Sequence, residues 1–430
     1  MRKGIIIFVL ISLLCVFAFS EKVSVWHWML NKQTEYVDEW VDFLKGQIDE
    51  KMPENVELSM DFGPAQYRDM QTKFMITAKS GIPTCIEAVL EQEVAYQKAG
   101  LIANLDDYFN SWDKKDKFLP NVMEAMKIDG VIYGIPYETN VRLLLYRKDV
   151  FEEYGLEVPK TWDEYLETAK WITDNVDGMV GAMVTTKLEE VRAFQEFISF
   201  FYQLNQRMYT KNDEGQYVLN AKKKELERVL ELYHGLFHGD TKSIPDQYMG
   251  GDWMINDYSF LDGRAAMIPC GPWVFSWQDN ETRKNVISNT GIVSLPVAEG
   301  GSHHTYMEVK PIMLNKYAKD KDLGWELLKI LTSKEACALT AKTRGVVPPR
   351  TDAMQDPILT EYPDERLPEW INQFADHAKE GVALAKIDWA KPIHYITLGI
   401  QQVVYGIMTP EECSEWLWES LDDLSENGEI

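Results

Sequence analysis

Cysteine is scarce in this chain, with five in 430 residues and no C-x-x-C pair. Cys15 falls inside an apolar run at the very start, which leaves Cys85, Cys270, Cys337 and Cys413 scattered along the rest. So few thiols in so long a chain do not make a disulfide scaffold, and no metal-binding motif uses them. Basic residues are short as well: 44 Lys and Arg against 68 Asp and Glu give a formal net charge of -24. Nucleic acids and anionic membrane surfaces would repel such a chain, which removes both from the expected partners. After residue 20 no stretch approaches the roughly 20 uninterrupted apolar residues of a membrane span. Phosphate loop, nucleophile elbow and zinc-protease signature are missing, and nothing calls for a cofactor. Tandem repeats, low-complexity stretches and Pro- or Ser-rich linkers are missing too.

What is present starts with MRKGIIIFVLISLLCVFAFS, a basic start, an apolar run and a small-residue cleavage site after Ser20. This reads as an export signal over residues 1–20, and the mature chain as a soluble exported protein, periplasmic or at the cell surface. Ser12-Leu13-Leu14 lacks the small residue expected before a lipidated Cys15. The remaining length of about 410 residues exceeds what a single core supports, so two domains are expected.

Short apolar runs alternate with helical patterns in the first half: Val23 to Trp28, Thr34 to Leu44, Val56 to Met60, Tyr67 to Ala78. That rhythm predicts an α/β fold with mostly parallel sheets. In PKTWDEYLETAKWI, Thr161 and Glu164 are spaced as a capping box, and TPEECSEWLWESL repeats the device with Thr409, Pro410 and Glu412. KKKELERVLELYHGLF places Leu226, Val229, Leu230, Tyr233 and Phe237 on one helical stripe. The first strand runs out at Trp26, His27 and Trp28. Either indole could form a flat platform at the strand's exit, with a place in the core as the alternative for each.

Residues Gly130 to Tyr165 read GVIYGIPYETNVRLLLYRKDVFEEYGLEVPKTWDEY. The polar step at Glu138-Thr139-Asn140 interrupts an apolar extended run, and such residues need a solvated or ligand-lined place to point. Glu138 and Arg142 could also pair with each other. The pattern Y-G-x-P, polar patch, apolar strand ending Y-x-K-D, then P-x-T-W-x-E resembles the extracellular solute-binding proteins of ABC transporters. The resemblance is to the sugar-binding family that includes maltose-binding protein. Ala99-Gly100-Leu101-Ile102, FLDGRAAMIPCGPW, Leu295-Pro296 before Gly300-Gly301, LGWELLKILTSKEA and RGVVPPR follow in the family's order. Thr84-Cys85 after Gly81-Ile82-Pro83 departs from the usual Asp, and Leu204-Asn205 stands where a Gly pair often follows a helix.

The resemblance implies a two-lobed periplasmic-binding-protein fold, type II-like, with hinge crossings between lobes. It would divide the chain into a first lobe of residues 21–140 and 293–352 and a second of 141–292 and 353–430. It implies a binding protein rather than an enzyme, a monomer that captures a carbohydrate between its lobes and hands it to the transmembrane subunits of the transporter. Several tryptophans in one cleft favour an oligosaccharide. The same fold with a peptide, polyamine or glycerol phosphate is the alternative, and a secreted glycosidase a more distant one. The family's pattern puts a stacking aromatic at Trp273 and a charged contact near Glu91 and Gln92. It puts hydroxyl-binding groups at Tyr137 and Asn140, and further contacts at Glu308 and Arg350 from the later crossings. Trp253 is a candidate lid aromatic, beside Trp26 and Trp28. His303 and His304, being adjacent, point opposite ways on a strand and are not expected to share a metal ion.

Overall fold

The computed structural model describes residues 21–31, 35–64, 66–360 and 366–430. The expected export signal lies outside the described residues.

Two sheets organise the molecule. In the first, Val25–Trp26 runs parallel to Cys85–Glu87, which pairs antiparallel with the end of the long strand Thr305–Leu314. Ile312 pairs with Glu87 on one side and with Ile135 on the other, so Ile135–Val141 flanks the long strand along its opposite edge. In the second sheet, Leu143–Arg147 is central, with Met267–Cys270 and Thr290–Val293 antiparallel on either side. Only one residue separates Ile135–Val141 from Leu143–Arg147. The chain therefore passes directly from one lobe to the other there, and returns along Thr305–Leu314.

The sheets are mixed rather than mostly parallel. Among the strands of the described residues, parallel pairing is confined to Glu21–Val23 with Val56–Leu58, Val25–Trp26 with Cys85–Glu87, and Gly381–Val382 with the start of the long strand, beside isolated parallel bridges of Thr161 with Val297 and Val180 with Ala265. The reason lies in the crossings: a strand returning from the far lobe enters a sheet from the end toward which its resident strands point.

Local signals translate directly into helices. Both capping boxes form, Thr161 with Glu164 at the start of Trp162–Asn175 and Thr409 with Glu412 at the start of Pro410–Glu426. The stripe Leu226, Val229, Leu230, Tyr233 and Phe237 is fully buried along Lys223–Phe237. That helix packs with Ala390–Val404 and Pro410–Glu426 to form the core of the second lobe. Cys85, Cys270, Cys337 and Cys413 are buried free thiols. No described helix is long and apolar enough to cross a membrane.

Candidate functional site

The two crossing strands form a floor where the lobes meet. In their register Glu308 faces Asn140 and Lys310 faces Glu138. Side chains directly opposite one another, and those two apart along a strand, share a face. One face of the pair thus carries Glu138 and Asn140 on one strand, with Arg142 just past its end, and Tyr306, Glu308 and Lys310 on the other. All six are buried. Charges removed from water persist only when paired, and these are. Lys310 Nζ lies 2.9 Å from Glu138 Oε1 and 3.8 Å from Glu308 Oε1. Arg142 Nη2 donates to Glu308 Oε2 at 3.1 Å and also to Gln195 Oε1. The possible pair of Glu138 with Arg142 does not form: four residues apart along extended chain they are too far from each other, and each finds its partner elsewhere, Glu138 in Lys310 and Arg344 and Arg142 in Glu308.

The wall on the first lobe is built around Glu87, at the end of the strand Cys85–Glu87. Its Oε2 accepts the backbone N–H of Trp28 at 2.6 Å and lies 3.2 Å from His27 Nδ1, and its Oε1 accepts the Tyr137 hydroxyl. Burial would raise the Glu87 carboxyl, but His27, Lys310, Arg344 and the Tyr137 hydroxyl together hold it below its ordinary value. Burial dominates at His27, lowering it from 6.5 to about 4 against the pull of Glu87, so the imidazole is neutral at pH 7. Arg344 ties this wall to the floor: Nη1 is 3.0 Å from Glu138 Oε2 and donates to the Tyr137 oxygen at 3.2 Å. Its guanidinium lies 4.9 Å from the ring centre of the half-buried Trp28.

On the second lobe the half-buried Trp273 holds the matching position. Its Nε1–H donates to the buried Asp257 at 2.9 Å, and the guanidiniums of Arg142 and Arg192 each lie 4.8 Å from its ring. Gly271 is required here, since a Cβ on it would come 2.0 Å from the indole. Arg192 Nε donates to Glu196 Oε1 at 2.6 Å, which completes a second buried charged group. The lobes touch through Gln195, whose Nε2 donates to Glu91 Oε1 at 3.0 Å. The same oxygen accepts the Tyr306 hydroxyl at 3.0 Å. Burial raises the Glu91 carboxyl above its ordinary value. Outer ties join Arg68 to Glu189 and Lys386 to Glu93.

Of the residues singled out from sequence, Trp28, Glu91, Tyr137, Asn140, Trp273 and Glu308 converge on this region. Glu91 and Gln92 belong to the first turn of the helix Leu90–Lys98. Gln92 turns back into the first lobe, donating to Gln71 at 3.3 Å. Trp26 is in the core with Met70, Phe74 and Tyr96. The strand ends at Trp26, which frees Trp28 to leave the sheet and reach the cleft. Arg350 is also structural. It forks onto Asp352 at 3.0 and 2.8 Å, donates to the Thr332 carbonyl at 3.1 Å, and lies over the Phe118 ring. Trp253 opens the helix Trp253–Leu261 and packs near Trp277, ring centres 5.9 Å apart, away from the floor. Among the described residues no group of three or more His, Cys, Asp or Glu could hold a metal ion.

Sequence reasoning missed Glu87, Gln195, Lys310 and Arg344. The alternation of Tyr306, Glu308 and Lys310 was the available signal, since polar residues at spacing two share a face when the chain is extended.

A two-lobed α/β molecule with polar side chains buried where its lobes meet has the build of a cleft-binding protein. The chain belongs to the bacterial extracellular solute-binding proteins, whose family model matches residues 50–367. Its relatives include the maltotriose-binding protein of Pyrococcus abyssi, 24% identical over 273 residues, covering 62% of this chain and 55% of that one. The galactooligosaccharide-binding protein of Bacillus subtilis is 24% identical over 291 residues, covering 62% and 64%. The chain spans about three-fifths of the length of the curated relatives it matches. Among solved structures, maltose-bound MalE3 of T. maritima aligns with a TM-score of 0.77 at 19% identity, over 94% of this chain and 99% of that one. The GacH receptor of Streptomyces glaucescens, described unliganded and with acarbose, aligns with a TM-score of 0.78 at 18% identity, over 95% and 99%. At such identities the likeness establishes the fold.

Proposed function

We propose that this protein is the substrate-binding component of an ABC import system, capturing a carbohydrate in the interlobe cleft and delivering it to the membrane permease. It performs no chemistry on its cargo. The observation that carries this reading is a set of buried polar atoms on the floor between two indoles. The whole Asn140 amide and Arg142 Nε and Nη1 have no hydrogen-bond partner among the described residues. Burying such groups unpaired costs several times what an exposed hydrogen bond contributes, so they mark a surface shaped for a polar guest. Trp28 and Trp273, one from each lobe, supply the flat apolar faces that sugar rings prefer.

Guest contacts with both lobes exist only when the lobes are together, so binding shifts the population toward the closed form, and that form is what the permease would read. Relatives and structural neighbours named for sugars support a carbohydrate over other solutes. The lobes would exchange the chain near residues 140, 292 and 352. The test is a thermal-shift screen of the signal-free protein against mono- and oligosaccharides. A ligand at about 100 times its dissociation constant adds roughly 2.7 kcal/mol, which is visible as a melting shift. The expected result is a shift with one sugar class, recovered chemically intact. No shift with any sugar would sink the carbohydrate assignment, and a cleaved sugar would sink the receptor assignment.

A further inference from the structure

Hydrogen-bonding capacity at the cleft floor is lopsided. Its carboxylates are engaged. Glu87 takes the Trp28 N–H and the Tyr137 O–H, while Glu138 and Glu308 are shared among Arg142, Lys310 and Arg344. A neutral sugar presents hydroxyls, each of which has a proton to give away, and free carboxylates are what best receive them. The atoms left over here are mostly donors: Arg142 Nε and Nη1, and the Asn140 Nδ2. On the acceptor side, Glu138 Oε1 and Oε2 accept no hydrogen bond but face Lys310 Nζ at 2.9 Å and Arg344 Nη1 at 3.0 Å, which leaves Asn140 Oδ1 and Glu91 Oε2 as the floor acceptors with neither a hydrogen bond nor a facing cation among the described residues. Burial raises the Glu91 carboxyl above its ordinary value, with Glu308 adding to the effect.

The guanidinium of Arg142 is also pre-positioned. Its carbon lies 4.8 Å from the Trp273 ring centre and 5.6 Å from that of Tyr306. Nη2 is held by Gln195 and Glu308, which fixes the directions in which Nε and Nη1 point. A planar guanidinium held in this way is matched to an acceptor-only group with two oxygens. Resting on the carbohydrate reading above, we propose that the ligand is an acidic sugar, a uronate or an oligosaccharide containing one, whose carboxylate docks on Arg142 and Asn140. The chain's net charge of -24 does not oppose this at contact range, since exposed charges beyond about 10 Å are largely screened by salt.

The experiment compares uronate mono- and oligosaccharides with their methyl-esterified and neutral counterparts of equal length, by thermal shift and titration calorimetry on the signal-free protein. Uronates should bind at least about 30-fold more tightly than the esterified or neutral forms, and Arg142→Gln should erase that difference. Equal affinity for the neutral form would overturn this inference while leaving the carbohydrate reading intact. Silence toward both would overturn the two together. Should Arg142→Gln fail to fold, the esterified ligand on the unaltered protein decides the question.

Discussion

Arg350→Ala offers a direct test of the boundary between framework and cleft. The wild-type guanidinium is 2% exposed and satisfies three demands at once. Nη1 serves the Thr332 carbonyl at 3.1 Å, Nε and Nη2 grip Asp352, and the plane lies 5.0 Å from the Phe118 ring centre and 5.8 Å from that of Trp112. Truncation leaves the Thr332 carbonyl without this donor, at about 1–3 kcal/mol. Losing the cation–π contacts adds about 1–2 kcal/mol. Asp352, with its side chain 26% exposed, regains water and so adds little. The sum, about 2–5 kcal/mol, corresponds to a melting point roughly 4–20 °C lower in a lobe of this size. Scanning calorimetry of the ligand-free protein measures it. Titration well below the melting temperature should then give a ligand affinity within about threefold of wild type, since Arg350 touches nothing on the floor. An unchanged melting point together with a tenfold or greater loss of affinity would refute the reasoning and return Arg350 to the cleft.

The other expectations are briefer. Trp273→Ala should weaken sugar binding and also lower ligand-free stability by about 2–4 kcal/mol, because the indole is packed between two guanidiniums and anchored on Asp257; urea unfolding without ligand measures the second effect. Gln195→Leu breaks the contact with Glu91 and removes one of the two acceptors of Arg142 Nη2, so the open form should gain population, seen as a larger radius of gyration in solution scattering. His27 has a folded value lowered from 6.5 to about 4, so the unfolded chain binds the extra proton first; its contribution is present above pH 6.5 and is lost as pH falls toward 4. A His27→Asn variant should show a flatter stability profile across that window by urea titration at successive pH values. The four buried thiols should react with a thiol reagent only upon unfolding, at a rate matching loss of secondary structure by circular dichroism.

Much of the framework was legible because its causes are local. Thr161 and Glu164, or Thr409 and Glu412, are three residues apart, and the buried stripe of Lys223–Phe237 repeats within one helix. The floor was legible only in part, because its chemistry depends on register. Whether Glu138 meets Arg142 or Lys310 is decided by how strands 166 positions apart at Arg142 and Glu308 align, and no local pattern encodes that. The misplacement of Trp26 has the same root. Where the strand ends decides which indole stays in the core, and element boundaries follow from tertiary pairing. Arg350 was misread because an arginine near a crossing looks alike whether it faces a ligand or a carbonyl.

The long strand Thr305–Leu314 also fixes an order of events in time. It supplies the middle of the first lobe's sheet, and the Asn315 amide just beyond it secures the Pro83 carbonyl from 232 positions away. The second lobe's three-stranded sheet is complete once Thr290–Val293 has been made. Both lobes therefore wait for the second half of the chain, the first for this strand and the second for Ala390–Val404 and Pro410–Glu426. Loop closure over such separations is slow. A chain made only as far as Val293 can therefore complete neither lobe, so the strand that floors the cleft also makes the two lobes depend on nearly the whole chain before either is whole.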